Sequence, residues 1–323
     1  MTHLITLISG DGIGAEVIPA ARTVLEALDL PLRFQEADAG FGTFERVGDA
    51  LPPATLDACA ASDAILFGAT SSPMAKVAGY QSPILNLRRH FDLFANLRPA
   101  VGEGVDLLIV RENTEGLYSR RERVEDGGAT AIAERVITAA ASERITHVAC
   151  EQARARRGKL TIVHKANVLK ETCGLFRRAA FGVATDYPDL AVEELLVDTA
   201  AMRLVQDPGR FDVLVTTNLF GDILSDLAAG MTGGLGMAPS ANVGAGHPAL
   251  FEPVHGSAPD IAGQGIADPR AAILSAAMLL DFLGYTEAAS ALRRATYATP
   301  HTGNTAHTAR AILAQMERDG AHV

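Results

Sequence analysis

Asp222 and Asp226 lie four residues apart in the run Asn218-Leu219-Phe220-Gly221-Asp222-Ile223-Leu224-Ser225-Asp226. On a helix, positions i and i+4 share a face, so both carboxylates can address one point. Leu219, Phe220, Ile223 and Leu224 supply the apolar surface on which such a helix packs. Two oxygen ligands on one side, with room for water and substrate, suit Mg²⁺ or Mn²⁺; a bare pair with this spacing also fits a solvated helix face. Arg88, Arg98 and Arg111 sit beside apolar neighbours, outside any charged tract. Planar guanidinium forks grip carboxylates in bidentate fashion, although an arginine beside a strand is more often a surface residue. Lys165 follows the apolar run Leu160-Thr161-Ile162-Val163, a poor setting for a surface lysine. Near a divalent cation, a desolvated lysine has a lowered pKa and can serve as a base.

Elements of an α/β protein must position these groups, because strand-like runs alternate with helical patterns. Strands are expected at Leu4–Ser9, Ala64–Gly68, Val105–Arg111, Leu160–His164, Leu195–Val197 and Phe211–Thr216, and helices at Ala15–Leu28, Ile132–Arg154, Ala271–Leu283 and Thr305–Glu317. A length of 323 residues implies two domains. A formal net charge of −10 with no basic run argues against nucleic acid or an anionic membrane surface. Cys59, Cys150 and Cys173 are widely spaced and form no C-x-x-C, which fits a reducing cytoplasm. The N-terminus runs straight into a strand and a glycine turn, which predicts no signal peptide. Ala271–Leu280 is too short to cross a bilayer and reads as a buried helix. Gly10-x-Gly12-x-x-Ala15, with Glu36 and Asp38 downstream, fits a Rossmann fingerprint taken alone, and it also fits a tight strand-to-helix turn.

Six runs in order carry a more specific signal: Gly10-Asp11-Gly12-Ile13-Gly14, NLRRHFDLFANLRP (86–99), VRENTEGLY (110–118), HKAN (164–167), TTNLFGDILSDLAAGMTGGLG (216–236) and FEPVHGSAPDIAGQGIADP (251–269). Together they resemble the β-decarboxylating hydroxyacid dehydrogenases, a family that includes isopropylmalate, isocitrate, homoisocitrate and tartrate dehydrogenases. The resemblance spans nearly the whole chain. It implies an isopropylmalate/isocitrate dehydrogenase-like two-domain α/β fold, not a Rossmann fold. Residues 1–98 plus 235–323 would form a discontinuous cofactor-binding domain. Residues 99–234 would form a second domain with the dimer interface and metal ligands, the active site lying in the cleft between the two.

The resemblance also implies roles residue by residue. Arg88, Arg98 and Arg111 would clamp the substrate carboxylates. Tyr118 would protonate the carbon left by decarboxylation, and Lys165 would take the hydroxyl proton. Asp198 would join Asp222 and Asp226 around Mg²⁺ or Mn²⁺, with Asp198 and Lys165 reaching the site from the partner subunit of a homodimer or dimer of dimers. Asn167 would hold the nicotinamide side of the cofactor. His255, Gly256, Ser257, Ala258 and Asp260 would line the adenosine half, with Ile13 touching the cofactor and Asp268 the adenine. Asp260 would bind ribose hydroxyls and repel a 2′-phosphate, which favours NAD. The turn His301-Thr302-Gly303-Asn304 departs from the family pattern and receives no role.

For the substrate, the run Ser82-Pro83-Ile84, followed by Leu87-Arg88-Arg89, resembles fungal-type homoisocitrate dehydrogenases. Oxidative decarboxylation of homoisocitrate to 2-oxoadipate, in lysine synthesis through 2-aminoadipate, is therefore expected. Ser82, aided by Arg89, would hold the distal carboxylate. The alternatives are 3-isopropylmalate, with Ile84 and Leu85 lining an isopropyl pocket, and isocitrate. A non-catalytic regulatory subunit is the rival from another class; such subunits typically lose the tyrosine, lysine or metal aspartates, all kept here.

Overall fold

Short apolar strands and amphipathic helices build two units in the computed structural model, which describes residues 2–75 and 77–320. One unit is Met1–Leu93 with Gly234–Val323 and the other is Phe94–Gly233. The first opens with β1 (His3–Gly10), α1 (Gly14–Glu26), β2 (Leu32–Glu36), α2 (Phe41–Val47), α3 (Pro53–Ala60), β3 (Ala64–Ala69) and α4 (Pro83–His90). β1 pairs in parallel with β2 and β3. Every residue of β3 is buried, as expected of a parallel strand covered on both faces. α1 turns Val17, Ile18, Ala21, Val24 and Leu25 inward, the stripe its apolar spacing predicts.

The second unit runs through β4 (Ala95–Gly102), β5 (Val105–Glu112), β6 (Gly116–Glu125), β7 (Thr130–Val136), α5 (Ala139–Arg154), β8 (Lys159–His164), α6 (Thr172–Ala184), β9 (Ala191–Leu196), α7 (Val197–Gln206), β10 (Val213–Thr216) and α8 (Asn218–Met231). Its sheet order is β4-β5-β10-β8-β9. β4 and β5 form an antiparallel hairpin, and β5, β10, β8 and β9 pair in parallel. Leu107, Ile109, Val163, Phe211, Leu214 and Leu224 share its core. β6 and β7 make a separate two-stranded ribbon. The helix expected from Ile132 therefore starts later, at Ala139. Alanine fits both the helical and the strand period, which hid the alternation in Thr130–Val136. Thr138 marks the true start: its side-chain oxygen accepts the Ala141 N–H at 3.2 Å, an N-cap bond.

The chain returns to the first unit with β11 (Pro239–Val243), β12 (Ala249–Pro253), α9 (Arg270–Phe282), α10 (Thr286–Ala298) and α11 (Thr305–Arg318). The strand order there is β2-β1-β3-β12-β11, with β12 parallel to β3 and antiparallel to β11. This is not the order of a dinucleotide-binding Rossmann sheet. α9 is the buried helix expected from Ala271–Leu280, with Ile273, Leu274, Leu279 and Leu280 inside. Among the described residues, no helix is long and apolar enough to cross a membrane. Cys59, Cys150 and Cys173 are free and buried, and burial pushes the Cys59 thiol up to about 12.

Glu194 on β9 ties the sheet to α6. It accepts Arg177 Nη2 at 2.7 Å and the Nε of the same guanidinium, and contacts His164 Nε2 at 2.8 Å. The Arg177 bond, with help from His164, lowers its carboxyl pKa to about 2. A depressed acid stabilises the fold above its unfolded pKa, ordinarily about 4.3, and that stability is lost as pH falls through the folded value. The Glu194 side chain is 36% exposed, so screening limits the contribution to at most about 1 kcal/mol. Chemical denaturation from pH 5 to pH 2 should show Glu194→Gln losing less stability on acidification than the parent by about that amount; parallel curves would refute the assignment.

Candidate functional site

In the second unit, β-sheet register brings one group of the candidate residues together. β4 and β5 pair with Asn96 opposite Arg111, and Arg98, two residues on from Asn96, faces the same side of the pleat. α8 lies against that side. A Cβ at Gly221 would stand 2.6 Å from Arg111 Cγ, so glycine there lets the Arg111 side chain lie flat on the helix. Arg111, 1% exposed, donates from Nε and Nη2 to Asn218 Oδ1 at 3.1 and 2.7 Å, and from Nη1 to Asp222 Oδ1. Arg98, 8% exposed, donates from Nη1 to Ser225 Oγ at 2.6 Å, and the same nitrogen stands 3.3 Å from Asp222 and 3.4 Å from Asp226. Asn96 Oδ1 accepts its Nε at 2.7 Å.

Tyr118, near the start of β6, donates its hydroxyl to Asp222 Oδ2 at 2.5 Å, with the Arg111 guanidinium 5.1 Å from its ring centre. Burial, and then the bond to Asp222, raises the phenol pKa. Tyr118 thus keeps its proton at neutral pH, as an acid must. Burial also raises the Asp226 carboxyl, and the Asp222 charge adds to the shift. Two acidic groups in this setting, offering only oxygen, suit a hard divalent cation that would neutralise their repulsion.

Lys165 follows β8 and meets Asp198, in the first turn of α7, at 2.5 Å. That bond pulls the Asp198 carboxyl below its usual range. Among the described residues, no three acidic, histidine or cysteine side chains gather at one point as a metal site. In the second unit, Arg98, Arg111, Tyr118, Asp222 and Asp226 are linked through the Asp222 and Asp226 carboxylates, and Lys165 pairs with Asp198. Asn167 is exposed on the turn just after Lys165.

In the first unit, Arg88 of α4 is 7% exposed and donates to Glu252 of β12 at 2.9 Å. Its Nε is buried without a partner among the described residues, a donor suited to an incoming carboxylate. Ser82 is the N-cap of α4, and its hydroxyl makes no capping bond. The glycine turn is built around Asp11, whose carboxylate accepts N–H groups from Phe41 at 2.7 Å, Gly42 at 2.9 Å and Ser71 at 2.7 Å. Gly12 has φ +57°, and a Cβ there would stand 2.0 Å from the Ser257 carbonyl oxygen. The Ile13 N–H donates to that oxygen at 2.9 Å while its side chain is buried, so the segment from Gly256 to Gly263 docks on the turn. Glu16 fastens its far end by accepting the Gly263 N–H at 2.7 Å.

Along that segment Ala258 has φ +38° and Asp260 is exposed. Burial lowers the His255 pKa, which keeps the ring neutral, and its Nε2 is buried without a partner among the described residues. Such an open turn with a buried, unspent polar atom suits a nucleotide. The Asp268 carboxylate is held by Arg270, at 3.0 Å from Nε and 2.7 Å from Nη2. The turn His301–Asn304 secures the start of the last helix. Asn304 caps α11 by accepting the His307 N–H at 2.9 Å, and His301 Nε2 lies 3.1 Å from the Ile266 carbonyl. Asn96, Asn218, Ser225, Glu252 and Asp11 received no role from the sequence. Ser225 could have been found at i+3 from Asp222, whereas Glu252 and Asp11 meet partners far away in the chain.

Residues 4–311 match the family model described as isocitrate/isopropylmalate dehydrogenase. The isocitrate/homoisocitrate dehydrogenase of Thermus thermophilus is 57% identical over 303 residues, covering 91% of this chain and 90% of that protein. The 3-isopropylmalate dehydrogenase of Archaeoglobus fulgidus is 52% identical over 308 residues, covering 93% and 92%. The crystal structure of isocitrate dehydrogenase from Methylococcus capsulatus superposes with a TM-score of 0.92 at 43% identity, covering 98% of this chain and 99% of that one.

Proposed function

This chain belongs to the isocitrate/isopropylmalate dehydrogenase family and is an NAD-dependent decarboxylating dehydrogenase; we propose that its substrate is homoisocitrate. The observation that carries this choice is the head of α4. Ser82 does not spend its hydroxyl on a capping bond there, and the first turn of a helix leaves N–H groups and a partial positive charge for an anion. A distal carboxylate placed there has donors, and burying it without them would cost several kcal/mol. Arg88 lies in the last turn of the same helix. Ile84, partly buried, packs against the core cluster that holds Leu87 and Phe67, which weakens the rival reading of an isopropyl pocket. Arg89 borders a polar cavity with Asp49, Gln81 and Asn86, so Ser82 and the helix end are the donors for the distal group. The 57% identity to a relative named for isocitrate and homoisocitrate points the same way.

In this reading Arg88, Arg98 and Arg111 hold and orient the substrate carboxylates. Asp222 and Asp226, with Asp198 of a second copy, would hold a divalent cation, which would supply Lewis acidity, and bound NAD would supply the hydride acceptor. Lys165 from a second copy of the chain accepts the hydroxyl proton, and Tyr118, holding its proton beside Asp222, delivers one to the substrate carbon after CO₂ leaves. The product is 2-oxoadipate, an intermediate of lysine synthesis through 2-aminoadipate. Asp260, exposed on the cofactor segment, would face the extra phosphate of NADP as a like charge.

A panel of 2-hydroxy acids assayed with Mg²⁺ tests both choices. The specificity constant should be highest for homoisocitrate and about 10–200-fold lower for isocitrate, since one methylene separates them. NAD should be preferred over NADP by at least about a hundredfold, each ~1.4 kcal/mol being a factor of ten. A maximum for 3-isopropylmalate would overturn the substrate, and equal use of both cofactors would overturn the role of Asp260.

A further inference from the structure

His164 closes β8 and is 4% exposed. Its Nδ1 stands 3.1 Å from the Ala166 backbone nitrogen. A backbone N–H can only donate, so Nδ1 carries the lone pair and the proton of the neutral ring is on Nε2. Nε2 in turn stands 2.8 Å from Glu194 Oε2. Parallel pairing of β8 with β9 sets His164 beside Leu196, and Glu194, two residues earlier, lies on the same face as Leu196. Arg177 of α6 holds both Glu194 oxygens, and its guanidinium lies 5.0 Å from the Phe181 ring centre. Helix, strand and ring thus form one brace, and what it grips is the backbone of the turn after Lys165. The Lys165 carbonyl closes that turn by accepting the Val168 and Leu169 N–H groups at 3.1 and 2.8 Å.

We propose that His164 is a positioning residue: its Nδ1 staples the Lys165–Asn167 turn, while Glu194 and Arg177 hold the ring in the tautomer that makes this possible. The functional half of this rests on the reading above, in which Lys165 takes a proton and Asn167 meets the nicotinamide. A carboxylate that fixes a histidine's tautomer is a general device for aiming the opposite nitrogen. Here the opposite nitrogen aims a backbone, and through it a lysine. His164 touches neither substrate nor cofactor in this scheme, so its loss should cost turnover and leave substrate affinity to the arginines.

Two substitutions separate the nitrogens. In His164→Asn the side-chain oxygen can accept the N–H two residues on, as in an Asx-turn. In His164→Gln the amide can reach Glu194 but offers no acceptor at the Nδ1 position. Steady-state kinetics with homoisocitrate, Mg²⁺ and NAD, and hydrogen exchange of the Ala166 amide, are read on the full-length protein. His164→Gln should lower kcat about tenfold to a hundredfold, the scale of a misplaced reacting group, with substrate KM nearly unchanged and Ala166 exchange faster. His164→Asn should restore most of kcat and the protection of Ala166. Arg177→Gln, altered near the surface and away from the turn, should show the glutamine pattern at smaller amplitude and serves if His164→Gln does not fold. Equal kcat in the asparagine and glutamine variants, or unchanged Ala166 exchange in His164→Gln or Arg177→Gln, overturns the proposal. Ala166 exchange does not depend on which substrate is turned over. A parent protein inactive on the whole panel would therefore refute the dehydrogenase roles while leaving the staple to stand or fall on exchange alone.

Discussion

Asp222→Asn should lower kcat/KM by about a thousandfold or more, a loss of ~4 kcal/mol of transition-state stabilisation. Asp222 is the acceptor shared by Arg111, Arg98 and the Tyr118 hydroxyl. Asparagine keeps the shape and removes the charge. Arg111, 1% exposed, would then lose the charge of the Asp222 carboxylate that it meets, a loss that is costly beside a buried guanidinium. Tyr118 would lose the carboxylate that orients it, and a divalent cation would keep only one charged ligand on α8. The expected results are a normal far-ultraviolet circular dichroism spectrum, weakened Mn²⁺ binding by calorimetry and activity near background. A variant that binds Mn²⁺ normally and retains a tenth of the parent activity would show that Asp222 is a structural acceptor only.

Lys165→Ala and Asp222→Asn, each inactive alone, should regain activity when refolded together. The motivation is that Lys165 and Asp198 pair with each other, while no third acid joins Asp222 and Asp226 among the described residues. A site that needs all of these groups must draw them from two copies. In a two-fold dimer each copy would give Lys165 and Asp198 to the other's site, the reciprocity of an isologous interface. A mixed dimer has one site with both substitutions and one with neither. Random pairing makes half of the dimers mixed, so recovery should approach about a quarter of the parent activity. Native mass spectrometry would count the mixed species. Mixed dimers that form but stay inactive would sink the shared-site reading.

Local periodicity made α8 legible. Asp222 and Asp226 share a helix face because of the 3.6-residue repeat, and the repeat is written within nine residues from Asn218 to Asp226. α9 was legible for a similar reason, as an apolar run too long for a strand and too short for a membrane. β7 was not, because alanine satisfies helix and strand alike and its partner β6 gave no separate signal. Only pairing of the two strands decides between the periods there.

The partnerships around the site were out of reach of the sequence. Arg88 meets Glu252 across 164 positions, and Arg111 meets Asn218 across 107. Sheet order and register decide which side chains come within about 3 Å of one another, the range in which a hydrogen bond forms, and those are properties of the whole unit. The same holds for Asp11, which reads as part of a glycine turn and acts as the acceptor for N–H groups from α2 and from Ser71. His164 is the last case. Its neighbour Lys165 could be singled out by its type after an apolar strand, but the tautomer of His164 depends on a glutamate on the next strand and an arginine on a helix. Sequence by itself determined which groups are available and which share a local face. Tertiary structure decided which of them are held, by what and in which protonation state, because burial makes each unpaired polar atom costly and only the folded sheet brings its partner near.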